Sequence, residues 1–433
     1  MDRAACERLD RADPLRALRA QFELPEGIVY LDGNSLGALP KATARRVGDA
    51  IRGEWGRGLI RSWNDAGWID LARRVGDDLA QLLGAGRGQV VVGDSTSVNL
   101  YKVLSVAADL QCKDRPSARV LLSERSNFPT DLYIAESVAA QRGLELLLVE
   151  HDALLAALGP HVAAVLWTHV NYRTGRMLPM AEVNRAAHAH GAAVVWDLAH
   201  SAGAVPLALT GAADIDADAD FAVGCGYKYL NGGPGAPGFA WVHPRHLRRL
   251  EAEGGRQPLS GWMGHAAPFA FEPGYRPADG IQRFATGTPP VLALRALECG
   301  VATLAAAGPA GGMAAVRAKS VALTDLFIRL VEDRCGGCGL TCITPRRPEE
   351  RGSQVSLVHP HAFPVMQALI ARGIVGDFRA DPDGAAGSGI LRFGFTPLYT
   401  QFADVWAAAE QLAEVLSTEA WRDPRYAQRG AVT

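Results

Sequence analysis

From residue 89 to residue 230 the chain alternates short β-rich apolar runs with stretches whose apolar residues recur at helical spacing. No other feature constrains the fold as tightly. The runs "QVVVGD", "ARVLLSE", "LELLLVE", "HVAAVLWTHV", "GAAVVWDLAH" and "FAVGCGYKYL" predict strands. Between them "SVNLYKVLSVAADLQ", "PTDLYIAESVAAQRG", "DALLAALG" and "PMAEVNRAAHAHG" predict helices. Strands that are apolar throughout and separated by helices build a mostly parallel sheet covered on both faces. We therefore expect a large α/β domain over residues 45–290. After it the rhythm changes to a long alanine-rich helix, a second helix, "SQVSLVHP", a helix in "FPVMQALIARG", a glycine-rich loop, "ILRFGFTP" and a closing amphipathic helix. That mixture predicts a smaller α+β domain over 291–433, with residues 1–44 packing across both.

In an open parallel sheet, ligands lie beyond the carboxyl ends of the strands, so the residues just after each strand carry the chemistry. Asp94, Ser95, Thr96 and Ser97 follow the first strand at a helix start, a cup suited to a phosphate, although plain capping uses the same residues. Phe128 and Pro129 end the loop after the second strand, with Thr130 and Asp131 expected to cap the next helix. The Phe128 ring is suited to lie on a planar cofactor, or simply to fill core. Asp197 closes a fully apolar strand, where an acid needs a cationic partner such as a pyridinium, an internal cation or a metal, and His200 follows three residues on. Lys228 stands between Tyr227 and Tyr229 at another strand end, just before the glycine-rich "NGGPGAPG". An amine at the edge of a core loses water there, the setting for bonding to an aldehyde. Phosphate cup, flat ring, buried acid and strand-end lysine, in that order, are the parts needed to hold pyridoxal 5′-phosphate (PLP).

The 433 residues carry a formal net charge of −2 with no long charged block, so neither nucleic acid nor an anionic membrane is an expected partner. No apolar run is expected to span a membrane, the charged first residues do not resemble a secretory signal, and a cytoplasmic protein is expected. "DIDADAD" lacks the glycine and glutamate of a calcium loop and reads as a solvated turn. Seven cysteines speak for reduced thiols. Cys335, Cys338 and Cys342 lie near His359 and His361, but one C-x-x-C with an irregular third cysteine is a weak zinc signature, and no metal is expected.

Over essentially its whole length the chain resembles the fold-type I, class V PLP enzymes, and among them kynureninase. The segments responsible are "YLDGNSLGALPK", "EWGRGLIRSWNDAGW", "DSTSVNLYKVL", "NFPTD", "VNYRTG", "WDLAHSAGAVP", "GYKYLNGGPGAPG", "LSGWMGH" and "LRFGFTPLYT". The resemblance implies hydrolytic Cβ–Cγ cleavage of L-kynurenine, and by extension 3-hydroxykynurenine, to anthranilate or its hydroxy form and L-alanine, a step of tryptophan catabolism. It implies Lys228 as the Schiff-base lysine, Asp197 as partner of the pyridine nitrogen and Phe128 as the stacking ring. Thr96, Ser97, Pro129, Thr130, Asp131, Thr168, His200 and Tyr227 then line the cofactor, Tyr227 also serving as an acid. Trp262 and Thr288 are implied to reach the phosphate from the partner subunit of a homodimer. Arg392 is implied to grip the substrate α-carboxylate, with Trp63 and the glycines of "GNSLG" walling the aryl pocket and Asn34 and Ser35 also binding substrate. Two rival readings are a class V cysteine desulfurase or selenocysteine lyase using one of the clustered cysteines, and a PLP-binding regulator without catalysis.

Overall fold

The computed structural model describes residues 1–210, 218–381 and 388–428. Most of the "DIDADAD" turn and of the last glycine-rich loop lies outside the described residues. Seven strands form the central sheet: β1 (Val90–Val92), β2 (Val120–Glu124), β3 (Glu145–Val149), β4 (Val162–Thr168), β5 (Ala193–Asp197), β6 (Phe221–Gly224) and β7 (Phe239–Val242). Their spatial order is β1-β7-β6-β5-β4-β2-β3. Strands β2 to β6 run parallel, while β7 is antiparallel to both β6 and β1.

Alternation along each strand feeds two separate cores. In β4, Val165 and Trp167 enter one apolar layer with Val194 and Trp196 of β5. Ala164 and Leu166 enter the opposite layer with Val195 and the helix Thr96–Asp114. Every residue of β4 and β5 is buried, whereas the edge strand β3 is half-exposed, as expected of a sheet covered on both faces.

In the large domain two short elements depart from the sequence reading. Strand β7 was not expected: its four residues follow so many glycines and prolines that the run reads as the end of a loop. "DALLAALG" forms only the short 3₁₀ turn His151–Ala153 followed by turns, because so few residues do not repay the cost of nucleating a helix.

A second, antiparallel sheet has the order β8-β9-β11-β10, from β8 (Thr341–Cys342), β9 (Gln354–His359), β10 (Asp377–Ala380) and β11 (Gly389–Gly394). Helices Gly312–Arg334, Ala362–Ile370 and Phe402–Ser417 cover it around Phe327, Phe393 and Leu412. Cys6 and Leu31 belong to this smaller core, Leu15 and Phe22 to the larger one.

Helix Val291–Ala305 buries Leu294, Leu297, Val301 and Leu304 in the larger core. A boundary after Pro290 would cut it from the residues it packs on, so we propose the division at Gly311, where the chain adopts φ 107°. Contrary to the sequence expectation, Val291–Ala310 is long and apolar enough to cross a membrane by length and composition. Its apolarity serves the core contacts just named.

Candidate active site

Strands β6 and β7 hold the lysine loop from both ends. Gly226 and Gly232 close it: the Gly232 N–H donates to the Gly226 carbonyl (2.9 Å), and a Cβ on Gly226 would lie 2.6 Å from the Pro237 carbonyl oxygen. Tyr229 is fully buried and donates to the Ser353 carbonyl (3.0 Å), tying this loop to the smaller domain. Lys228, half-buried, extends its Nζ to 3.0 Å from His200 Nε2. The same Nζ lies 5.9 Å from the centre of the Phe128 ring and 5.8 Å from that of Tyr227.

Asp197 closes β5 at 4% exposure and accepts the Ala199 N–H at 2.7 Å. It is hydrogen-bonded to Asp131, which reaches it from the first turn of helix Pro129–Arg142. Burial, and then the Asp197 charge, hold the Asp131 carboxyl well above the carboxylate range, so Asp131 is the protonated member of the pair. Burial also raises Asp197, against the pull of Lys228. Burial, followed by the Lys228 charge, pushes His200 well below the usual imidazole range, so it is neutral. Asp131 Oδ2 and His200 Nδ1 are buried without hydrogen-bond partners.

Phe128 occupies the N-cap of its helix without a side-chain capping bond, and Pro129 starts the first turn. The expected capping by Thr130 and Asp131 is therefore corrected: the Asp131 carboxyl points to Asp197 instead. The ring of Phe128 is 38% exposed and meets Tyr172 edge to face at 5.1 Å. Thr168, at the end of β4, donates its hydroxyl to Asn127 Oδ1, which also accepts the Phe128 N–H (2.7 Å). Asn127 was missed in the sequence, although "NFPTD" contains it, because its role is to orient two neighbours. At the far end of the cluster, Ser95 caps helix Thr96–Asp114 by accepting the Val98 N–H (3.3 Å), with Thr96 and Ser97 in the turn it opens.

Arg392 lies on β11, 1% exposed, beside its register partner Asp377 of β10. One guanidinium nitrogen pairs with Asp377 and donates to Ser35 Oγ (2.9 Å), and the other terminal nitrogen donates to the Tyr172 carbonyl (2.9 Å). Its Nε has no hydrogen-bond partner, nor do the Nδ2 and Oδ1 atoms of the fully buried Asn34. Asp32, also at this end, is pushed up to about 7 by burial and then by the Asp377 charge. The sequence reading missed both acids: Asp377 sits on a strand that was not expected, and Asp32 reads as a turn residue.

Trp63 meets Trp262 edge to face at 6.2 Å, and Trp262 meets Phe269 at 5.5 Å. These aromatics form one group, so Trp63 and Trp262 share a side of the chain. Thr288 lines an open cavity with Asp94, Lys102 and Thr286, a cavity to which Lys228, Asp197 and Phe128 do not contribute.

The three clustered cysteines sit around the small sheet: Cys335 is buried, and the Cys338 carbonyl lies 3.2 Å from His359 Nε2. Among the described residues no group of three or more His, Cys, Asp and Glu side chains is placed to hold a metal ion.

The Lys228 cluster fits PLP. Asp197 is a buried acid on which the Lys228 charge acts, and such an acid suits a pyridinium nitrogen. Asp131 and His200 each keep a buried atom without a partner, the Lys228 charge acts on both, and the Lys228 amine lies 5.9 Å from the Phe128 ring centre.

Residues 316–412 match the family described as the kynureninase C-terminal domain. The chain is 54% identical over 428 residues to a kynureninase of Burkholderia pseudomallei strain 1106a, covering 98% of each. It is 50% identical over 431 residues to a kynureninase of Pseudomonas fluorescens, covering 99% of each. In fold it is similar to an apo cysteine desulfurase from Thermococcus onnurineus NA1, with a TM-score of 0.72 at 19% identity over 93% of this chain and 98% of that one. A C-DES variant with glycine covalently linked to its PLP cofactor superposes equally well, with a TM-score of 0.72 at 18% identity over 95% of this chain and 99% of that one.

Proposed function

The chain belongs to the kynureninase family, and on that premise we propose which of its residues carry the hydrolytic Cβ–Cγ cleavage of L-kynurenine to anthranilate and L-alanine. The observation that carries the reading is the convergence on Lys228 of His200, Phe128, Tyr227 and the buried Asp131 and Asp197 pair.

When bound at Lys228, PLP supplies an aldehyde carbon that amines join reversibly and a ring that draws electrons from the substrate Cα. Asp197 would supply the negative charge that partners the ring nitrogen, and protonated Asp131 would keep that carboxylate in place. Lys228 Nζ, when not joined to the cofactor, would take the proton from the substrate Cα and restore it to Cα at the end of the cycle. Neutral His200, 3.0 Å from that Nζ, orients the amine without adding a competing charge. Water adds to the γ-carbonyl carbon, the Cβ–Cγ bond breaks, and anthranilate leaves with the carboxylate so formed. The Tyr227 phenol, protonated at neutral pH like any tyrosine, is our choice of donor to Cβ.

Arg392 is our choice for the substrate α-carboxylate, using donors not committed to Asp377, with Ser35 and Asn34 beside it. Thr96, Ser97, Pro129, Thr130 and Thr168 are assigned to the cofactor and its phosphate. We place Trp262 and Thr288 in the site of a partner subunit in a homodimer. Trp63, which touches Trp262, goes with them as a wall of the partner's aryl pocket. In support, Ile60 and Phe271 are 76% and 80% exposed, and Leu59 and Phe271 adopt φ near 50° (52° and 51°), strain that an interface would hold. A cytoplasmic location suits the seven free thiols. Turnover is tested by mixing purified, PLP-loaded protein with L-kynurenine and following anthranilate fluorescence. Release of anthranilate with equimolar alanine is expected, and sulfide release from cysteine without anthranilate would overturn the reading.

A further inference from the structure

Asp94 lies two residues beyond β1 and adopts φ 52°, a left-handed backbone that strains a residue bearing a Cβ. Its carboxylate accepts from Lys102 Nζ (2.9 Å) and from the Thr286 hydroxyl (2.7 and 2.9 Å). Lys102 is 1% exposed and also donates to the Phe284 carbonyl (2.7 Å). The Asp94 carbonyl accepts the Gly238 N–H (2.8 Å) from the loop that bears Lys228, and the helix containing Thr96 and Ser97 begins two residues later. One acid thus touches the start of that helix, the lysine loop and Thr286.

Thr286 stands between the two residues assigned to the partner's site. Thr288 is two residues on, and the Thr286 carbonyl accepts the N–H of Met263, the neighbour of Trp262 (3.0 Å). A Cβ on Gly261 would lie 2.3 Å from that carbonyl oxygen, so the Trp262 segment rests on Thr286 at closest approach. Asp94, Lys102, Thr286 and Thr288 line one open cavity of about 820 Å³. A buried ammonium is a costly way to hold a loop that apolar packing alone could hold.

Resting on the shared-site reading above, we propose that Asp94, Lys102 and Thr286 are positioning residues. They fix, from within one protomer, the segment that carries Trp262 and Thr288 to the cofactor phosphate in the partner's site. They also tie that segment to the phosphate end of the protomer's own site.

The test is PLP titration of apo dimers, read as the visible band of lysine-bound cofactor and as its dissociation rate, for wild type, Thr286→Val and Thr286→Ser. Loss of a hydroxyl bond to a carboxylate should weaken PLP binding about tenfold in Thr286→Val, with Thr286→Ser within about twofold of wild type. A mixed dimer then pairs a wild-type chain with one carrying both Lys228→Ala and Thr286→Val. Only the wild-type chain can give the band, and its PLP affinity should fall about as far as in the Thr286→Val homodimer. Unchanged affinity in the Thr286→Val dimer, or a full affinity in the mixed dimer, would overturn the proposal while leaving the function intact. A wild-type protein that sediments as a monomer would sink the shared site and this proposal together.

Discussion

Lys228 is useful only because other residues fix its surroundings: β6 and β7 hold its loop, His200 meets its Nζ at 3.0 Å, and a buried pair of acids, Asp131 and Asp197, acts on it. Arg392 is equally dependent, being already paired with Asp377 and Ser35. Replacing Arg392 with Ala should raise KM for L-kynurenine by about 10- to 100-fold, the range expected for a lost charge-assisted bond. The cofactor band should persist, and steady-state kinetics with an unchanged KM would move the carboxylate clamp elsewhere. Asp32 gives a pH prediction. Its folded value of about 7 lies above the ordinary carboxylate range, so the folded state binds the extra proton and stability falls as pH rises from about 4 toward 7. Asp32→Asn should remove that part of the slope and leave the variant relatively more stable at pH 8, as read by urea unfolding at several pH values. Wild type and variant with parallel pH profiles would contradict the raised value. Residues assigned here to the cofactor were legible in the sequence because they follow strands; Asn127, Asp32 and Asp377 were not, because their partners come together only across the fold.

At the scale of elements, the apolar runs made six of the seven central strands legible, each being short and followed by a helical or loop signal. Strand β7 escaped because its evidence is non-local: "FAWV" becomes a strand only when β1 and β6 lie on either side of it. Its entry residue, Gly238, explains the preceding glycines in part. A Cβ there would meet both the Thr96 backbone nitrogen and the Gly224 carbonyl oxygen at 2.9 Å. Gly238→Ala should therefore push the lysine loop off the helix start. We expect a lower melting temperature and a PLP dissociation rate at least about tenfold faster, whereas cofactor retention equal to wild type would mean the close approach has no bearing on the phosphate end. The helix Val291–Ala305 carries the complementary lesson, since its apolar pattern is plain in the sequence but which domain it serves depends on packing.

For the molecule as a whole, the proposed assembly rests on exposed apolar side chains. Ile60 and Phe271 are large and exposed, and Trp63, Trp262 and Phe269 touch in series. A chain assigned to complete its partner's site should lose cofactor when separated from it. Ile60→Asp is expected to shift sedimentation toward the monomer and to weaken PLP retention together. A stable monomer with wild-type cofactor affinity would show each site to be complete within one chain.

Everything catalytic assigned above depends on the bond between PLP and a single amine, and borohydride reduction of the holoenzyme followed by peptide mapping tests that bond directly. The reduced cofactor is expected on Lys228, in the peptide containing "GYKYL", with Lys228→Ala giving neither adduct nor turnover. An adduct on another side chain, or none in protein that still cleaves L-kynurenine, would contradict it.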